Sequence, residues 1–267
     1  MRLLSWNVQW CRGIDGVVDP GRIATEVRRM ADPDVICLQE VAEGFAELPG
    51  SRGEDQFELL ERQFPGYAAF AVCPVDTGEK RFGNMLLTRL PVHRVLRHSL
   101  PWPPAPGVPS MPRGALEAVI EAPFGALRVT TTHLEYYSGE HRAAQLGRLR
   151  GVHAEACGER LQVDEPGPFR SSPLPPGAIL CGDFNLPPSD PLHARMVQFG
   201  FVDAWQALHP GEPHPHTFRV HERGEGESPY CCDFVFVTQD LAPRLRSIRV
   251  DAANQASDHQ PVIVQLE

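Results

Sequence analysis

Little in this chain would place it in a membrane, in an oxidising compartment or along a nucleic-acid duplex. No apolar run in its 267 residues approaches the roughly 20 needed to cross a bilayer as a helix. The start goes directly into Arg2-Leu3-Leu4-Ser5-Trp6-Asn7-Val8, without the basic start, long apolar stretch and cleavage site of a signal, so a first strand is expected there. The cysteines number seven, an odd count without framework spacing. Cys37, Cys73 and Cys181 lie inside apolar runs, where a thiol packs as a small hydrophobe. A reducing, cytoplasmic setting is therefore expected. Around the vicinal pair Cys231-Cys232 no second cysteine pair or histidine cluster sits at zinc spacing, which argues against a structural zinc.

Positive charge is also scarce, with 25 Lys and Arg against 34 Asp and Glu and a formal charge of −9. Sequence-independent nucleic-acid binding rests on neutralising phosphates, and no broad basic stripe is present. A long duplex is disfavoured, whereas a local basic rim would suffice for a short or small substrate. There is no tandem repeat and no linker with a composition shift on both sides. A single domain over 1–267 is expected, as a monomer, with a polar, proline-rich surface insertion at about 158–177.

What the chain does have is a succession of strand and helix patterns. Strands are predicted at Leu3–Val8, Val35–Gln39, Tyr67–Val72, Asn84–Thr88, Val92–His98, Ala115–Glu121, Leu127–His133, Phe201–Trp205, Cys232–Val237, Ile248–Ala252 and Val262–Leu266. Helices are predicted at about Gly21–Met30, Gln56–Phe64, Gly139–Cys157 and Pro191–Phe199. So many strands in both halves imply two sheets.

The most informative stretch is Ala178-Ile179-Leu180-Cys181-Gly182-Asp183-Phe184-Asn185, an apolar run ending in a carboxylate and a carboxamide. It reads as a buried strand, and such strands present ligand chemistry beyond their carboxyl ends. Asp183 and Asn185, two apart in an extended segment, are expected to share a face. Taken alone, the stretch also fits an ordinary Asx turn. The same grammar recurs, however: Asn7, Glu40, His133, Asp183 with Asn185, and Asp258-His259 all stand at strand ends. Each alone fits a cap or turn, but five together suggest a shared pocket at one sheet edge.

The segments SWNVQW, DVICLQEV, TTHLEYY, ILCGDFNLPP, CCDFVFV and ASDHQPV, in this order, resemble the signatures of the endonuclease/exonuclease/phosphatase superfamily with the DNase I-like fold. The resemblance runs from Ser5 to Val262. It implies an α/β (α+β) four-layer sandwich, with two packed mixed β-sheets flanked by helices, and divalent-metal-dependent cleavage of a phosphate ester. By the same resemblance Glu40 is the principal ligand of Mg²⁺ or Mn²⁺, with Asn7 beside it and Asp258 as a supporting carboxylate. His259, held by Asp233, would contact the scissile phosphate. Asp183 would orient or deprotonate the attacking water, and Asn185 would donate to that water or to a phosphate oxygen. His133 resembles a second phosphate-contacting histidine. Arg113 matches a phosphate-binding position, with an ordinary surface arginine as the open alternative.

One departure is Gln9, where relatives that repair abasic DNA tend to carry an acid; it puts a second metal carboxylate in doubt. Trp10 and Glu135-Tyr136-Tyr137 suit either stacking at a pocket rim or packing. His209, His214, His216 and His221 share one loop at spacings that fit no finger geometry, and solvated loop histidines are expected. Thr217-Phe218 resembles a family segment that packs beside the active site. The function expected is a metal-dependent phosphodiesterase, foremost a nuclease acting on short or single-stranded nucleic acid or a small phosphodiester. Phosphomonoesterase or phospholipid-headgroup cleavage is the alternative within enzymes, and a non-catalytic binding protein on the same fold is the alternative outside them.

Overall fold

Alternation along the strands decides which side chains meet in the middle of this molecule. The computed structural model describes residues 1–159, 174–221 and 228–267. The expected insertion at 158–177 lies for its larger part, residues 160–173, outside the described residues. In strand β1 (Arg2–Asn7), Leu3 packs in the layer between the two sheets, while Leu4 and Trp6 face the outer helices. The same parity holds in β2 (Val35–Glu43), where Val35 and Cys37 point between the sheets and Ile36 and Leu38 point outward. This two-residue period gives each sheet two buried faces.

The remaining strands are β3 (Ala68–Asp76), β4 (Arg81–Thr88), β5 (Val92–Ser99), β6 (Gly114–Ala122), β7 (Gly125–His133), β8 (Ala178–Asp183), β9 (Phe201–Asp203), β10 (Asp233–Thr238), β11 (Leu245–Val250) and β12 (Val262–Leu266). Two six-stranded mixed sheets result, ordered β11-β12-β1-β2-β4-β3 and β5-β6-β7-β8-β10-β9. Helices α1 (Pro20–Met30) and α2 (Gln56–Gln63) cover the first sheet through Ile23, Val27, Phe57 and Leu60. Helices α3 (Gly139–Glu159) and α4 (Pro191–Gln198) cover the second through Leu146, Leu149 and Met196. The α/β/β/α sandwich expected from the sequence is the observed architecture. Among the described residues no helix is long and apolar enough to cross a membrane, and all seven cysteines are free thiols.

Strand directions bring the polar residues to one edge. β1 runs parallel to β2, and β7 parallel to β8. β12 is antiparallel to β1, and β10 antiparallel to β8. The edge where β1, β7 and β8 end is thus where β10 and β12 begin. Gly182 is required for close approach at that edge: at φ +135° a Cβ would lie 1.9 Å from the Thr132 carbonyl oxygen of the neighbouring strand.

Two expectations need correction. Glu40 does not end its strand, because β2 continues to Glu43 through a bulge between Leu38 and Val41. The predicted strand at Phe201–Trp205 stops at Asp203, whose Oδ1 accepts the Trp205 and Gln206 N–H groups (2.8 and 3.3 Å) and starts helix α5 (Ala204–Leu208). A capping carboxylate at this position overrides the β-propensity around it.

Candidate active site

The inter-sheet faces change from apolar to polar as the strands reach the common edge. Along β8 that face reads Ile179, Cys181, Asp183, and β10 begins with Asp233 directly opposite Asp183. Along β7 it ends in His133, and along β1 in Asn7. The candidate residues are the ends of the same alternating rows that build the core.

Asn7 is fully buried and joins the two sheets. Its Nδ2 donates to Glu40 Oε1 (3.1 Å) and to Asp183 Oδ2 (3.0 Å), while its Oδ1 accepts the Gln9 N–H (3.1 Å). Glu40 has φ +60°, and its bulge turns the side chain into the pocket. Burial pushes the Glu40 carboxyl above its ordinary range, against the pull of the Asn7 amide and His259.

Asp183 is 1% exposed. Burial, reinforced by the Asp233 charge and opposed by His259, raises its carboxyl to about 6. Asn185 reaches the pocket by a route other than the shared strand face expected from the sequence. The strand ends at Asp183, whose Oδ1 accepts the Asn185 N–H (2.9 Å), and Asn185 is left-handed at φ +51°. Its Nδ2 donates to His133 Nε2 (3.0 Å) and to the Leu134 carbonyl (2.9 Å). Both amide hydrogens are engaged by these contacts, which leaves the side-chain carbonyl oxygen as the group free to accept from a water. Burial, then the nearby positive Arg113 and His259, hold His133 well below the usual histidine range. It is a neutral ring with Nε2 accepting and Nδ1 lying 3.9 Å from Glu40 Oε1.

His259 is the opposite case. Its Nδ1 lies 2.9 Å from Asp233 Oδ2 and its Nε2 3.7 Å from Asp183 Oδ2. Burial alone would lower its pKa, but Asp233 and Asp183 outweigh that and hold it well above the usual range as an imidazolium. Its ring packs on Phe218 with centroids 4.5 Å apart. The Thr217 hydroxyl accepts the Cys232 and Asp233 N–H groups (3.1 and 3.2 Å), so this segment braces both partners. Asp183, Cys232 and His259 also place ligand-type atoms within 4.8 Å of one another, but a ring charged on both nitrogens has no lone pair to give.

Asp258 is half-buried, and its Oδ2 accepts from Gln9 Nε2 (2.7 Å). Gln9 therefore neutralises no charge but grips the acid, a contact that sequence reasoning missed. It is set up by three consecutive left-handed residues, Gln9, Trp10 and Cys11 (φ 46°, 42° and 60°). No glycine marks this strained turn, and Gln56 Nε2 holds it by donating to the Trp10 carbonyl (2.8 Å).

Arg113 is not an ordinary surface arginine: it is 7% exposed. Its Nε stands 3.6 Å from Glu135 Oε2, beyond hydrogen-bond range, and its Nε and Nη1 are buried without partners. Burial lowers its pKa against the charges of Glu135, Glu40 and Asp183. Guanidinium N–H groups ion-paired with Glu135 but left without a hydrogen bond in a pocket are what an anion would satisfy.

Of these residues Gln9, Glu40, Arg113, His133, Glu135, Asp183, Asn185, Asp258 and His259 line a cavity of about 430 Å³, with Trp10, Phe82, Met111, Tyr136, Tyr137 and Phe218 around them. Among the lining residues the carboxylates Glu40, Glu135, Asp183 and Asp258 outnumber the cations Arg113 and His259, so the oxygen-donor set suits a divalent cation. Of the four loop histidines, His214 departs from the solvated role expected, with a side chain 7% exposed against Asp203.

Residues 4–259 match the model of the Endonuclease/Exonuclease/phosphatase family. No curated protein matches the chain. Among solved structures it is similar to an endonuclease/exonuclease/phosphatase from Beutenbergia cavernae, at 25% identity and TM-score 0.68 over 100% of this chain and 71% of that one. It is also similar to a mannosyl-6-phosphatase from Bacteroides thetaiotaomicron, at 18% identity and TM-score 0.70 over 100% and 99% of the two chains. A third is D. rerio TDP2 complexed with single strand DNA product, at 19% identity and TM-score 0.70 over 100% and 98%. The last two likenesses speak to the fold. The family match from Leu4 to His259 takes in every segment that supplies the pocket's acids and histidines, and the chain belongs to the endonuclease/exonuclease/phosphatase family.

Proposed function

We propose that this protein hydrolyses phosphodiesters by in-line attack of water, with Mg²⁺ or Mn²⁺ as cofactor, on short or single-stranded nucleic acid or a small phosphodiester. The observation that carries this reading is the pairing, in one buried pocket, of a carboxyl pushed up to about 6 with an imidazolium held by a second carboxylate. A base of that strength accepts a proton from water near neutral pH. Asp183 takes that proton while the Asn185 carbonyl oxygen orients the water. His259, kept charged by Asp233, stabilises negative charge developing on the phosphate oxygens. Arg113 and the neutral His133 hold the remaining oxygens.

Glu40 and Asp258 would hold the metal. Asn7 would join them through Oδ1, the atom that now accepts the Gln9 N–H. When bound, the metal neutralises charge on phosphate oxygens and the leaving group. The cavity of about 430 Å³ and its aromatic rim suit a nucleotide or two better than a duplex. A second reading, a phosphomonoesterase, is favoured by the two Arg113 nitrogens without a hydrogen bond in the same cavity as the His259 imidazolium, which suit a terminal phosphate dianion. The name of the mannosyl-6-phosphatase neighbour points the same way.

The test is a metal-supplemented panel of single-stranded DNA, duplex DNA, RNA, phosphotyrosyl-DNA, inositol phosphates, sugar phosphates and sphingomyelin, with Asp183→Asn and His259→Ala as controls. Turnover of sugar phosphates alone selects the second reading. Absence of metal-dependent turnover on every phosphate ester would overturn both.

A further inference from the structure

We propose that His193, Asp203 and His214 form a second metal site, suited to Zn²⁺, outside the phosphoester pocket and independent of how that pocket works. The three side chains come from α4, the end of β9 and the loop before Thr217. Both imidazole Nε2 atoms stand 2.8 Å from one atom, Asp203 Oδ2, and the three donor atoms all lie within 4.8 Å of one another. His193, Asp203 and His214 are 4%, 2% and 7% exposed at the side chain.

The frame around the three donors is rigid. The His193 ring packs against Phe234 and Phe236 (centroids 4.8 and 5.4 Å), and the His214 ring meets Phe234 edge-on at 5.5 Å. Asp203 Oδ1 is fixed by the Trp205 and Gln206 N–H groups, which leaves Oδ2 as the ligand atom. Two imidazoles and one carboxylate suit zinc better than the oxygen-seeking Mg²⁺ or Ca²⁺. Zinc–ligand bonds of about 2.0–2.2 Å separate tetrahedral ligands by about 3.3 Å, so the present contacts need to open by about half an ångström. Each ring then carries its remaining proton on Nδ1. His214 also lines an outer groove with Ser189, Glu212, His216 and Cys231, from which water can fill a fourth position.

The site would matter beyond itself. His214 leads into Thr217 and Phe218, which brace Asp233 and His259. Zinc at His214 would pin that segment.

The experiment loads chelator-treated protein with Zn²⁺ and measures the metal retained after gel filtration. The comparison covers wild type, a Glu40→Gln/Asp258→Asn double variant, His214→Gln and Asp203→Asn. Retention of zinc by wild type and the double variant, with loss in His214→Gln and Asp203→Asn, supports the site. Circular dichroism checks that the variants are folded, and Asn at position 203 keeps an acceptor for the helix cap. Long-range ¹H–¹⁵N spectra of wild type give a readout that needs no variant, since zinc should move the ring-nitrogen signals of His193 and His214. Unmoved ring signals, or equal retention in folded His214→Gln and Asp203→Asn, overturn the proposal.

Discussion

Strand β10 separates two histidine–aspartate clusters built from the same residue types with opposite outcomes. On its inter-sheet face, two carboxylates, Asp233 and Asp183, surround one ring, His259. On its outer face, against Phe234 and Phe236, two rings, His193 and His214, surround one carboxylate, Asp203. In the first cluster acid is in excess: the two carboxylates hold the ring charged, and burial, reinforced by the Asp233 charge, raises Asp183 to about 6. In the second, burial would raise the Asp203 carboxyl, but hydrogen bonds from both rings outweigh it and hold it down to about 2. Burial and the ratio of rings to carboxylates, not residue type, decide which group is poised to exchange a proton and which is locked.

Asp183→Asn breaks this contrast most severely. With no group left to take the water's proton, kcat should fall about 10³-fold with KM little changed, as steady-state kinetics on an aryl phosphodiester would show. Asp233→Asn tests the imidazolium from the other side and should cost about 10²-fold in kcat. Equal kcat for Asp233→Asn and wild type would remove His259 from the chemistry. Asp203→Asn, by contrast, should leave kcat within a few-fold of wild type and instead lower stability by about 2 kcal/mol, read from denaturant melts.

The two acids should also respond oppositely to pH. The folded-state pKa of Asp203 is depressed, so its stabilisation is present above its ordinary value of 3.8 and lost as pH falls through about 2. For Asp183 the folded-state pKa is raised. Its contribution is present below 3.8 and lost as pH rises through about 6. At pH 7, Asp183→Asn should therefore melt a few degrees higher than wild type and Asp203→Asn a few degrees lower. A lower melting temperature for Asp183→Asn would show that its contact with His259 outweighs its burial. The acid limb of kcat/KM should lie at or below about 6, since a bound cation favours the ionised carboxyl. The smallest effect is expected at the rim, where Tyr137→Ala, removing a side chain on an exposed residue, should raise KM a few-fold for single-stranded substrates and leave kcat unchanged.

Much of the frame was readable before folding. The run from Ile179 to Asp183 is continuously apolar, as a strand buried on both faces requires, and ends in an acid, and β12 falls at Val262–Leu266 as its pattern predicts. The strand predicted to reach Trp205 failed at the Asp203 cap, and two other readings failed at positive φ. Glu40 and Asn185 are left-handed without being glycine, so the extended spacing assumed for them did not hold. The turn at Gln9, Trp10 and Cys11 is invisible for the same reason, and with it the grip of Gln9 on Asp258. Arg113 and His214 sit in polar, proline-containing segments whose composition suggests exposure. Their burial depends on Glu135 and Asp203, which are distant in sequence from Arg113 or lie across a loop from His214.

By itself the sequence determined the two sheets and the identity of the polar residues that end their buried rows, because patterning and chemistry at strand ends are local properties, while the sandwich and the family followed from the resemblance of its segments to known ones. Only the tertiary structure decided their charge states: that His259 is an imidazolium and His133 neutral, that Asp183 is poised near 6 and Asp203 held near 2. Protonation depends on burial and on which charges stand within a few ångströms, and those neighbours are brought together by strands far apart in the chain.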